Sequence, residues 1–383
     1  MLAAEIVIMT SLRIGMDGDA LRNPLSGVGH YVFNLARELD GLLPEASFFV
    51  YTRLPAAAIA LPSPRWQLRT EPVVAFRHLP SFLWLKTRCR SLCLRDRIDV
   101  FWAGRSLHPR LGGAVHTVST VHDVNHLVVP DTMQFQSRWS SRLFFRGDIL
   151  TADCVLTNSH GTAERIRKMI GAQVTGVVRP SVTSNFQLSS SATEVEIPEK
   201  LSRLGAKRPY LLSVATAEPR KNLDVVLRAF IDLKRGGKLS DHQLVLAGPT
   251  GWKNQALKKK LDEARAYGLV LAGYVPDELI PTLYAASDAL VFPSFYEGFG
   301  MPVLEARTCG ARVITTDIPE LREAGDEHVI YVQPTVDGVK AGIIKAVGSL
   351  KPPPMVHHTW KEEAQVLARV LCAGKESQAA SVG

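Results

Sequence analysis

Short apolar runs alternate with amphipathic stretches along almost the whole chain, and this alternation limits the folds that the sequence can adopt. Runs of strand-like composition lie at 12–16, 46–52, 73–75, 100–103, 118–122, 154–157 and 175–178 in the first half, and at 210–214, 243–247, 270–272, 289–292, 313–316 and 329–332 in the second. The stretch 31–39 has its apolar residues at helical spacing. Short buried strands that alternate with helices form parallel sheets covered by helices. The sequence therefore predicts an α/β fold of doubly wound, Rossmann-like parallel sheets.

The length of the chain indicates two domains, because 383 residues exceed what one ordinary hydrophobic core organises. The segment 184–193 is polar and serine-rich, and a new strand follows at 210. We therefore predict an N-terminal Rossmann-like domain at 1–183, a linker at 184–209 and a C-terminal Rossmann-like domain at 210–355. We expect the two domains to face each other across a cleft, and a closing helix at 356–375 to pack back on the first.

Composition excludes several classes of protein. Hydrophobic residues make up 46% and charged residues 21% of the chain, as in soluble globular proteins. No apolar stretch is long enough to cross a membrane, and no basic region precedes the short apolar start. The five cysteines form neither a disulfide framework nor a zinc-ligand pattern, so we interpret them as buried free thiols. These features indicate a cytoplasmic protein, with peripheral attachment to the inner face of the cytoplasmic membrane as a further option.

The positive charge is concentrated in the first half. The whole chain carries a formal net charge of +8. Residues 1–182 hold 21 Lys and Arg against 14 Asp and Glu, a difference of +7, and the remainder holds 24 against 23. The first half is therefore expected to face something anionic, and nucleic acid, a phospholipid surface and a phosphorylated acceptor all qualify.

The stretch FYEGFGMPVLEA at 295–306 follows the apolar run 289–292 and carries the sharpest site signal. Gly298 and Gly300 allow backbone geometry and close approach that a Cβ would block. Pro302 suits the first turn of a helix, so we predict a strand, a tight loop and a helix that begins near it. Free backbone N–H groups at 299–303 would then point beyond the carboxyl end of the strand, where doubly wound sheets bind ligands and helix ends attract anions.

Two carboxylates flank this predicted anion site. Glu297 lies on the loop and Glu305 in the first helical turn. A carboxylate can accept two hydrogen bonds at once, which suits the vicinal hydroxyls of a sugar ring. Two of them around an anion site predict a ligand with hydroxylated rings on both sides of a diphosphate, that is, a nucleotide sugar. The competing interpretation is that Glu297 only caps the helix and Glu305 only complements its dipole.

Positive charge for a diphosphate is supplied at the end of another predicted strand of the same domain. Arg220 and Lys221 follow the run 210–214. The planar guanidinium of Arg220 can grip phosphate oxygens, and the ammonium of Lys221 adds a compact charge. Asn222 is predicted to cap a helix over 223–233. Alone, an Arg-Lys pair after a strand is more often a solvated loop, but its place in the same domain as the glutamate loop, at the carboxyl end of another strand, favours a phosphate clamp.

These motifs resemble a known family. The chain is similar to retaining glycosyltransferases of the GT-B fold, in the group that contains bacterial α-mannosyltransferases, sucrose synthases and glycogen synthases. The matching segments are EPRKNLDVVLRAF at 218–230, LVLAGP at 244–249, the long block at 273–323 that contains FYEGFGMPVLEA, GVGHYVFNLAREL at 27–39 and TVHDVNHLVVPD at 120–131. The resemblance spans most of the chain, while 40–100 and 182–209 match nothing sharply.

The resemblance implies a role for each matching residue. In the second domain, Arg220 and Lys221 would hold the donor diphosphate, Glu305 the ribose hydroxyls and Glu297 the hydroxyls of the transferred sugar. The remaining implied contacts run through backbone atoms: Gly298, Phe299, Gly300 and Met301 to sugar and phosphate, and Gly273, Tyr274 and Val275 to the nucleobase.

The first domain would contribute to the same ligand. Gly27 and Gly29 would let the backbone approach the phosphate, and His122 would project from a strand end toward the sugar. A histidine in that position is as often a satisfied core residue, so both interpretations of His122 stay open.

Asp17-Gly18-Asp19 has the form of a metal-binding D-x-D motif, but its place after the first strand favours a polar loop. We therefore expect no metal and no cofactor.

The implied reaction is transfer of a hexose from a nucleoside-diphosphate sugar with retention of anomeric configuration. GDP-mannose is the favoured donor, with rhamnose, glucose and galactose as open alternatives for the sugar. The acceptor is expected to be a saccharide or a lipid-linked saccharide in the synthesis of a cell-surface polysaccharide or lipopolysaccharide.

Other interpretations make different demands on the sequence. A dinucleotide-dependent oxidoreductase would need G-x-G-x-x-G after the first strand, and SGVGHY breaks that spacing. Another nucleotide-sugar enzyme of Rossmann type, such as an epimerase, also remains open, but a phosphorylase would need a pyridoxal lysine that we do not find. Nucleic-acid binding fits the charge but lacks a recognisable module.

The basic run 86–97, preceded by the apolar stretch 82–85, is either an ordinary solvated helix or a patch that contacts an anionic membrane surface.

Overall fold

The computed structural model describes residues 12–130, 141–188, 196–216, 218–248 and 255–382. They form two compact units. Of these described residues, the first unit takes those within 12–126, 141–180 and 358–382, and the second takes 127–130 and those within 181–357.

The first unit is built on a seven-stranded parallel sheet. Its strands are β1 Arg13–Asp17, β2 Ser47–Thr52, β3 Trp66–Thr70, β4 Val100–Ala103, β5 His116–Val121, β6 Cys154–Thr157 and β7 Gly176–Val177. Their order in the sheet is β3-β2-β1-β4-β5-β6-β7. In β1, Ile14 lies opposite Phe48 of β2 on one side and Val100 of β4 on the other. The central strands are buried on both faces, which explains why they are continuous apolar runs.

Helices cover this sheet. Those of the first unit are Gly27–Leu42, Val74–Arg77, Ser81–Trp84, Arg90–Arg95, Arg146–Thr151, His160–Ile170 and Trp360–Val382, with π-helical turns at Leu85–Cys89 and Ser141–Phe145. A short helix, Asn125–Val128, follows β5, and its last two residues belong to the second unit. The last helix packs against Gly27–Leu42, and its Leu367 and Leu371 are fully buried in the core. Glu363 of that helix accepts hydrogen bonds from the Arg179 backbone N–H and from its Nε. The C-terminal helix therefore completes the first unit.

The second unit is built on a six-stranded parallel sheet. Its strands are β8 Tyr210–Val214, β9 Gln243–Ala247, β10 Leu269–Gly273, β11 Ala289–Phe292, β12 Val313–Thr316 and β13 Ile330–Val332, in the order β10-β9-β8-β11-β12-β13. The helices are Asn185–Leu188, Glu196–Ser202, Leu223–Arg235, Gln255–Arg265, Ile280–Ala286, Met301–Thr308, Pro319–Ala324 and Val336–Val347. The strands β8, β9, β11 and β12 have the bounds that the sequence predicts.

The two sheets confirm the predicted fold class and share one topology. Each runs from its third strand through its second and first, and then reverses to its fourth. The reversal lies between β1 and β4 in the first unit and between β8 and β11 in the second. Loops on either side of such a reversal diverge to opposite faces of the sheet and leave a crevice at the carboxyl ends of the strands, where ligands bind.

Two local predictions differ from the structure. The run 73–75 is not a strand: Val74–Arg77 is a helical turn, and the side chains of Val73 and Val74 are exposed rather than buried. The third strand of the sheet is instead Trp66–Thr70, whose polar residues face solvent at the sheet edge. The sequence predicts a linker at 184–209, but the described residues 196–209 belong to the second unit, because Leu201 and Ala206 are buried in its core.

The cysteines and the helices bear on two further predictions. None of the five cysteines forms a disulfide; Cys89, Cys93 and Cys309 are buried, as the sequence predicts, whereas Cys154 and Cys372 are only partly buried. Within the described residues, no helix combines the length and the apolar character that crossing a bilayer requires.

Candidate functional site

The predicted cationic and acidic residues of the second unit lie beside each other at its topological reversal. Strands β8 and β11 are hydrogen-bonded neighbours, so the loops that follow them meet at the carboxyl edge of the sheet. The Phe295 N–H of one loop donates to the Arg220 carbonyl of the other over 2.8 Å. This main-chain bond brings Arg220 and Lys221, after β8, next to Glu297, after β11.

Glu297 holds both cations with its two oxygens. Its Oε2 accepts from Arg220 Nη1 at 2.8 Å, and its Oε1 accepts from Lys221 Nζ at 2.6 Å. Arg220 is fixed further by its Nε, which donates to Glu218 Oε2 at 2.7 Å. Lys221 Nζ also lies 4.7 Å from the centre of the Phe292 ring, within cation–π range. Both cations are therefore held in fixed positions before any ligand binds.

Burial and charge oppose each other in this cluster. Burial raises the pKa of Glu297, but the charges of Lys221 and Arg220 outweigh it and hold that pKa below 4.5. For Lys221 burial prevails and lowers the pKa below its ordinary value, against the support of Glu297. Burial also acts to lower the pKa of Arg220, but Glu297 and Glu218 raise it above its ordinary value. The carboxylate and the guanidinium are therefore charged at neutral pH.

Asn222 links the two loops, which the sequence did not predict. It stands before the helix Leu223–Arg235 with a left-handed φ of 56°, and its side chain makes no capping hydrogen bond. Asn222 thus occupies the N-cap position that the sequence predicts, but without the usual capping hydrogen bond. Its Nδ2 instead donates to the Pro293 carbonyl at 3.2 Å and to the Pro334 carbonyl at 3.0 Å. Because these carbonyls follow β11 and β13, Asn222 braces the cationic turn against the loops around it.

The glycine loop has the geometry that the sequence predicts. Gly300 has a φ of 107°, and a Cβ there would lie 2.4 Å from Leu321 Cδ2, so only glycine fits. The helix Met301–Thr308 begins at once, with Pro302 in its first turn. One detail is wrong: the Val303 N–H is not free, because it donates to the Gly300 carbonyl at 2.9 Å. Gly298 and Phe299 precede this start, and Phe299 is buried in the core.

Glu305 projects from the first part of that helix and is only partly exposed. Its Oε2 accepts a hydrogen bond from the Tyr284 hydroxyl at 2.8 Å. Burial and the charge of Asp277 raise the pKa of Glu305, and the Tyr284 hydrogen bond lowers it. Together these effects put the pKa of Glu305 at about 7. Tyr284, on the helix Ile280–Ala286, is fully buried, and sequence reasoning missed it. Its helical spacing with Ile280, four residues before it, indicates only a core residue, so the sequence carried no signal for its hydroxyl partner.

Gly273, Tyr274 and Val275 lie at the carboxyl end of β10, two strands away from β8. The Gly273 carbonyl accepts from the Gly248 N–H at 2.7 Å. Tyr274 is 75% exposed, whereas Val275 is buried in the core. The three therefore line the same edge of the sheet as the cationic turn, at a distance of two strands.

In the first unit, His122 lies at the end of β5 and is 9% exposed. Its Nε2 donates to the Gly104 carbonyl at 2.7 Å, and its ring meets Tyr31 edge-on with 4.8 Å between centres. Burial lowers its pKa below 6.5, so the ring is neutral at pH 7 with its proton on Nε2. Its Nδ1 is consequently an acceptor.

Gly27 and Gly29 form the start of the helix Gly27–Leu42. Ser26 caps this helix by accepting from the Gly29 N–H at 3.1 Å. A Cβ at Gly29 would lie 2.9 Å from the Ala20 carbonyl, whereas Gly27 has open space around it. The close approach that the structure shows at Gly29 is thus to Ala20, and Gly27 is the more accessible of the two.

The D-x-D sequence of the first unit is part of a structured polar cluster. Asp17 caps the turn Gly18–Leu21 by accepting from the Asp19 N–H at 3.0 Å, and it pairs with Arg105 Nη2 at 2.7 Å. Arg105 follows β4, so this pair spans the reversal of the first sheet. Sequence reasoning missed Arg105, because nothing nearby in the chain marks it. Among the described residues there is no group of three or more His, Cys, Asp or Glu suited to a metal.

Two family models match the chain. The model described as "Glycosyl transferases group 1" matches residues 196–356, and the one described as "Glycosyltransferase Family 4" matches residues 25–182. O-antigen chain mannosyltransferase B of Escherichia coli is 28% identical over 378 residues, covering 94% of each chain. The serotype-specific mannosyltransferase WbdA of Escherichia coli is 34% identical over 192 residues, which are 47% of this chain and 23% of WbdA.

The fold also matches solved structures. The crystal structure of Anabaena HepE in complex with UDP-glucose has a TM-score of 0.66 at 15% sequence identity, and the match covers 97% of this chain and 99% of HepE. At that identity the likeness establishes the fold.

Removing Glu297 should destabilise the second unit more than removing an exposed carboxylate. In Glu297→Ala, Lys221 and Arg220 lose their shared partner in a site where their side chains are 9% and 15% exposed. We expect the free energy of unfolding to fall by about 3 kcal/mol. The matched control is Asp317→Ala, which removes an exposed partner of Arg322 and should cost less than about 1 kcal/mol.

The same comparison has a defined pH dependence. Because the pKa of Glu297 is lowered on folding, its stabilisation is fully present above pH 4.5 and is lost as the pH falls through its folded pKa. Chemical denaturation between pH 3 and pH 8 measures this. Equal losses in the two variants, or a loss independent of pH, would contradict the pairing.

Proposed function

The chain is a glycosyltransferase with the GT-B fold, and on that premise we propose that it transfers mannose from GDP-mannose to a saccharide or lipid-linked saccharide. We further propose that the transfer retains the anomeric configuration and serves the synthesis of a cell-surface polysaccharide such as lipopolysaccharide. The relatives support mannose: O-antigen chain mannosyltransferase B matches over nearly its whole length. The UDP-glucose bound to HepE supports a nucleotide sugar as the kind of donor.

The observation that carries the proposal is the arrangement of charges at the reversal between β8 and β11. Arg220 and Lys221 present fixed positive charge at the carboxyl edge of the sheet, and the partly exposed residue Glu305 lies on the helix that follows β11. The dianionic diphosphate of a nucleoside diphosphate suits Arg220 and Lys221, and its ribose diol suits Glu305. Hydrogen bonds between charged groups give such a ligand both affinity and orientation.

In the reaction we propose, the cations stabilise the leaving diphosphate. The bond between the anomeric carbon and the donor phosphate oxygen breaks, and the acceptor oxygen bonds to the same face of the sugar. A donor phosphate oxygen takes the proton of the acceptor hydroxyl. Because Arg220 and Lys221 are held in position before binding, they need no reorganisation when negative charge develops. We propose that these two residues do the work that a metal does elsewhere, so the reaction needs neither metal nor cofactor.

The test of this function is a donor screen followed by product analysis. Purified protein is incubated with GDP-mannose, UDP-glucose or another nucleotide sugar and with lipid-linked oligosaccharides, with and without EDTA. We expect mannose transfer from GDP-mannose, insensitive to EDTA, and an α-linked product by NMR. A β-linked product would overturn retention, and transfer of another sugar only would overturn mannose. Stabilisation of the fold by NAD or an oligonucleotide alone would overturn the whole assignment.

Arg220→Ala and Glu305→Ala should each weaken transfer. Each variant removes from the protein one charged group that would hydrogen-bond to the donor. We expect kcat/KM for the donor to fall by the equivalent of roughly 1.5–3 kcal/mol of transition-state stabilisation. Steady-state kinetics with varied donor measures this. Asp317→Ala is the control and should keep the kinetics of the wild type, because Asp317 is exposed and pairs with the exposed Arg322. Unchanged turnover and donor affinity in both variants would refute the site.

The first unit offers a surface for a lipid-linked acceptor, and we propose that it contacts an anionic membrane. The helical segment 81–95 and the segment 141–151 lie side by side, joined by the Phe82 and Phe144 rings at 5.7 Å and by the Lys86–Asp148 ion pair. Both begin at the carboxyl edge of the sheet: Ser81 contacts Asp19 after β1, and Phe145 contacts His126 after β5.

The outer faces of these two segments carry leucines and arginines. Leu83, Leu94, Leu143 and Leu150 are 37%, 38%, 58% and 50% exposed. The exposed basic residues among and beside them are Arg90, Arg95, Arg97, Arg110 and Arg146. Lys86 and Arg88 do not contribute, because they pair with Asp148 and Glu71. Apolar side chains interspersed with cations suit the interface of an anionic bilayer, which would place the protein at the inner face of the cytoplasmic membrane.

Vesicle flotation tests this surface. The protein should float with phosphatidylglycerol vesicles and not with phosphatidylcholine vesicles, and 0.5 M salt should release it. The double variant Leu143→Ser/Leu150→Ser should lose most of the binding, whereas Ile344→Ser/Leu350→Ser, which changes exposed residues of the second unit, should not. Equal flotation with both lipids, or none with either, would contradict the proposal.

A further inference from the structure

We infer that Tyr284 is a positioning residue for the donor, because its buried hydroxyl anchors one oxygen of Glu305 and leaves the other for the ribose diol. This inference rests on the proposed function and deepens it, since it assigns to a core side chain the orientation of the group that recognises ribose. Tyr284 itself touches no ligand and acts only through Glu305.

The geometry supports an anchoring role. Tyr284 is fully buried, and its ring packs at 6.4 Å from Phe186 in the core. Its hydroxyl lies 2.8 Å from Glu305 Oε2. The two residues come from different helices, Ile280–Ala286 and Met301–Thr308, that pack against each other. A fully buried side chain thus holds one that is partly exposed, and this hydrogen bond orients the carboxyl of Glu305.

The hydrogen bond also affects the charge of Glu305. A vicinal diol donates two hydrogen bonds, so an ionised carboxylate, which only accepts, receives it better than a carboxylic acid. Two influences oppose ionisation, burial and the nearby Asp277, and the Tyr284 hydroxyl favours it. The balance puts the pKa of Glu305 at about 7. The further titratable group that acts on Tyr284 is Cys309.

The sign of the pH effect follows. Below pH 7 most of the free protein carries a neutral Glu305, and above pH 7 most carries the ionised form that the diol requires. The affinity for a nucleoside diphosphate should therefore rise with pH through about 7 and then level off. Without the Tyr284 hydroxyl, burial and Asp277 act on Glu305 unopposed. The pH midpoint of Glu305 ionisation, and with it that of the affinity, should therefore move to higher pH.

The experiment compares Tyr284→Phe with Tyr210→Phe in the full chain. Tyr210 is an equally buried tyrosine of the same core, and its hydroxyl donates to the Leu283 carbonyl at 2.6 Å, next to Tyr284. The control therefore removes a hydroxyl that holds the same helix but does not contact Glu305. Binding of GDP and of 2′,3′-dideoxy-GDP is measured by calorimetry from pH 5.5 to pH 9, and the Glu305 carboxyl is titrated by carbon-13 NMR.

We expect the wild type to bind GDP more tightly than its dideoxy analogue. Tyr284→Phe should bind GDP about tenfold more weakly at pH 7, the loss of one hydrogen bond to a charged group. Its dideoxy-GDP affinity should stay unchanged, and the Glu305 midpoint should move upward by about one pH unit. Tyr210→Phe should keep the wild-type values for both ligands and for the midpoint.

Each contrary outcome has a distinct meaning. If Tyr284→Phe keeps the wild-type GDP affinity and midpoint, the positioning role is overturned while the proposed function stands. If it loses affinity for both ligands equally, or no more than Tyr210→Phe does, the role is structural only and the inference is overturned. If Tyr284→Phe does not fold, the test uses the wild type alone. The inference is then overturned if GDP does not lower the pH midpoint of the Glu305 titration. A wild type that binds no nucleoside diphosphate overturns the proposed function as well.

Discussion

One carboxylate between two cations organises the site of the second unit. Glu297 can meet Arg220 and Lys221 only because β8 and β11, separated by a long stretch of sequence, are neighbours in the sheet. Each of these charges would be costly to bury alone, and together they form a stable cluster at the mouth of the sheet. The main-chain bond from Phe295 to Arg220 and the two bonds of Asn222 serve the same end, since they hold the two loops in register.

The two sheets have the same strand order, yet their reversals differ in charge: the first is formally negative and the second is formally neutral, with its cations mostly buried and one of its two carboxylates partly exposed. In the first unit two carboxylates, Asp17 and Asp19, surround the single guanidinium of Arg105, which leaves one negative charge. In the second unit the guanidinium and ammonium groups outnumber the buried carboxylate, and the additional carboxylate of Glu218 is 42% exposed, so that solvent screens it. Topology alone makes both reversals candidates for a ligand site. Charge decides between them, and an anionic ligand is favoured at the second.

What the sequence predicts and what it misses differ in physical kind. The bounds of β11, the helix start near Pro302 and the need for glycine at 300 follow from local chemistry, and the structure confirms them. The partners of Tyr284, Arg105 and Asn222 come from segments far apart in the chain, so no spacing or propensity could reveal them. The edge strand Trp66–Thr70 was missed for a related reason: its residues are mostly polar because only one side of it is covered.

The pairing seen for Glu297 and the role that the family resemblance implies for it are compatible. A carboxylate has about four lone-pair directions, and Arg220 and Lys221 occupy one on each oxygen. The cations hold its pKa low, so it keeps the acceptor-only form that sugar hydroxyls need. Glu305 lacks such cations, and its pKa of about 7 leaves its ionisation to the single hydroxyl of Tyr284. The ionised forms of these two carboxylates are thus favoured by different means, that of Glu297 by two cations and that of Glu305 by a buried hydrogen bond.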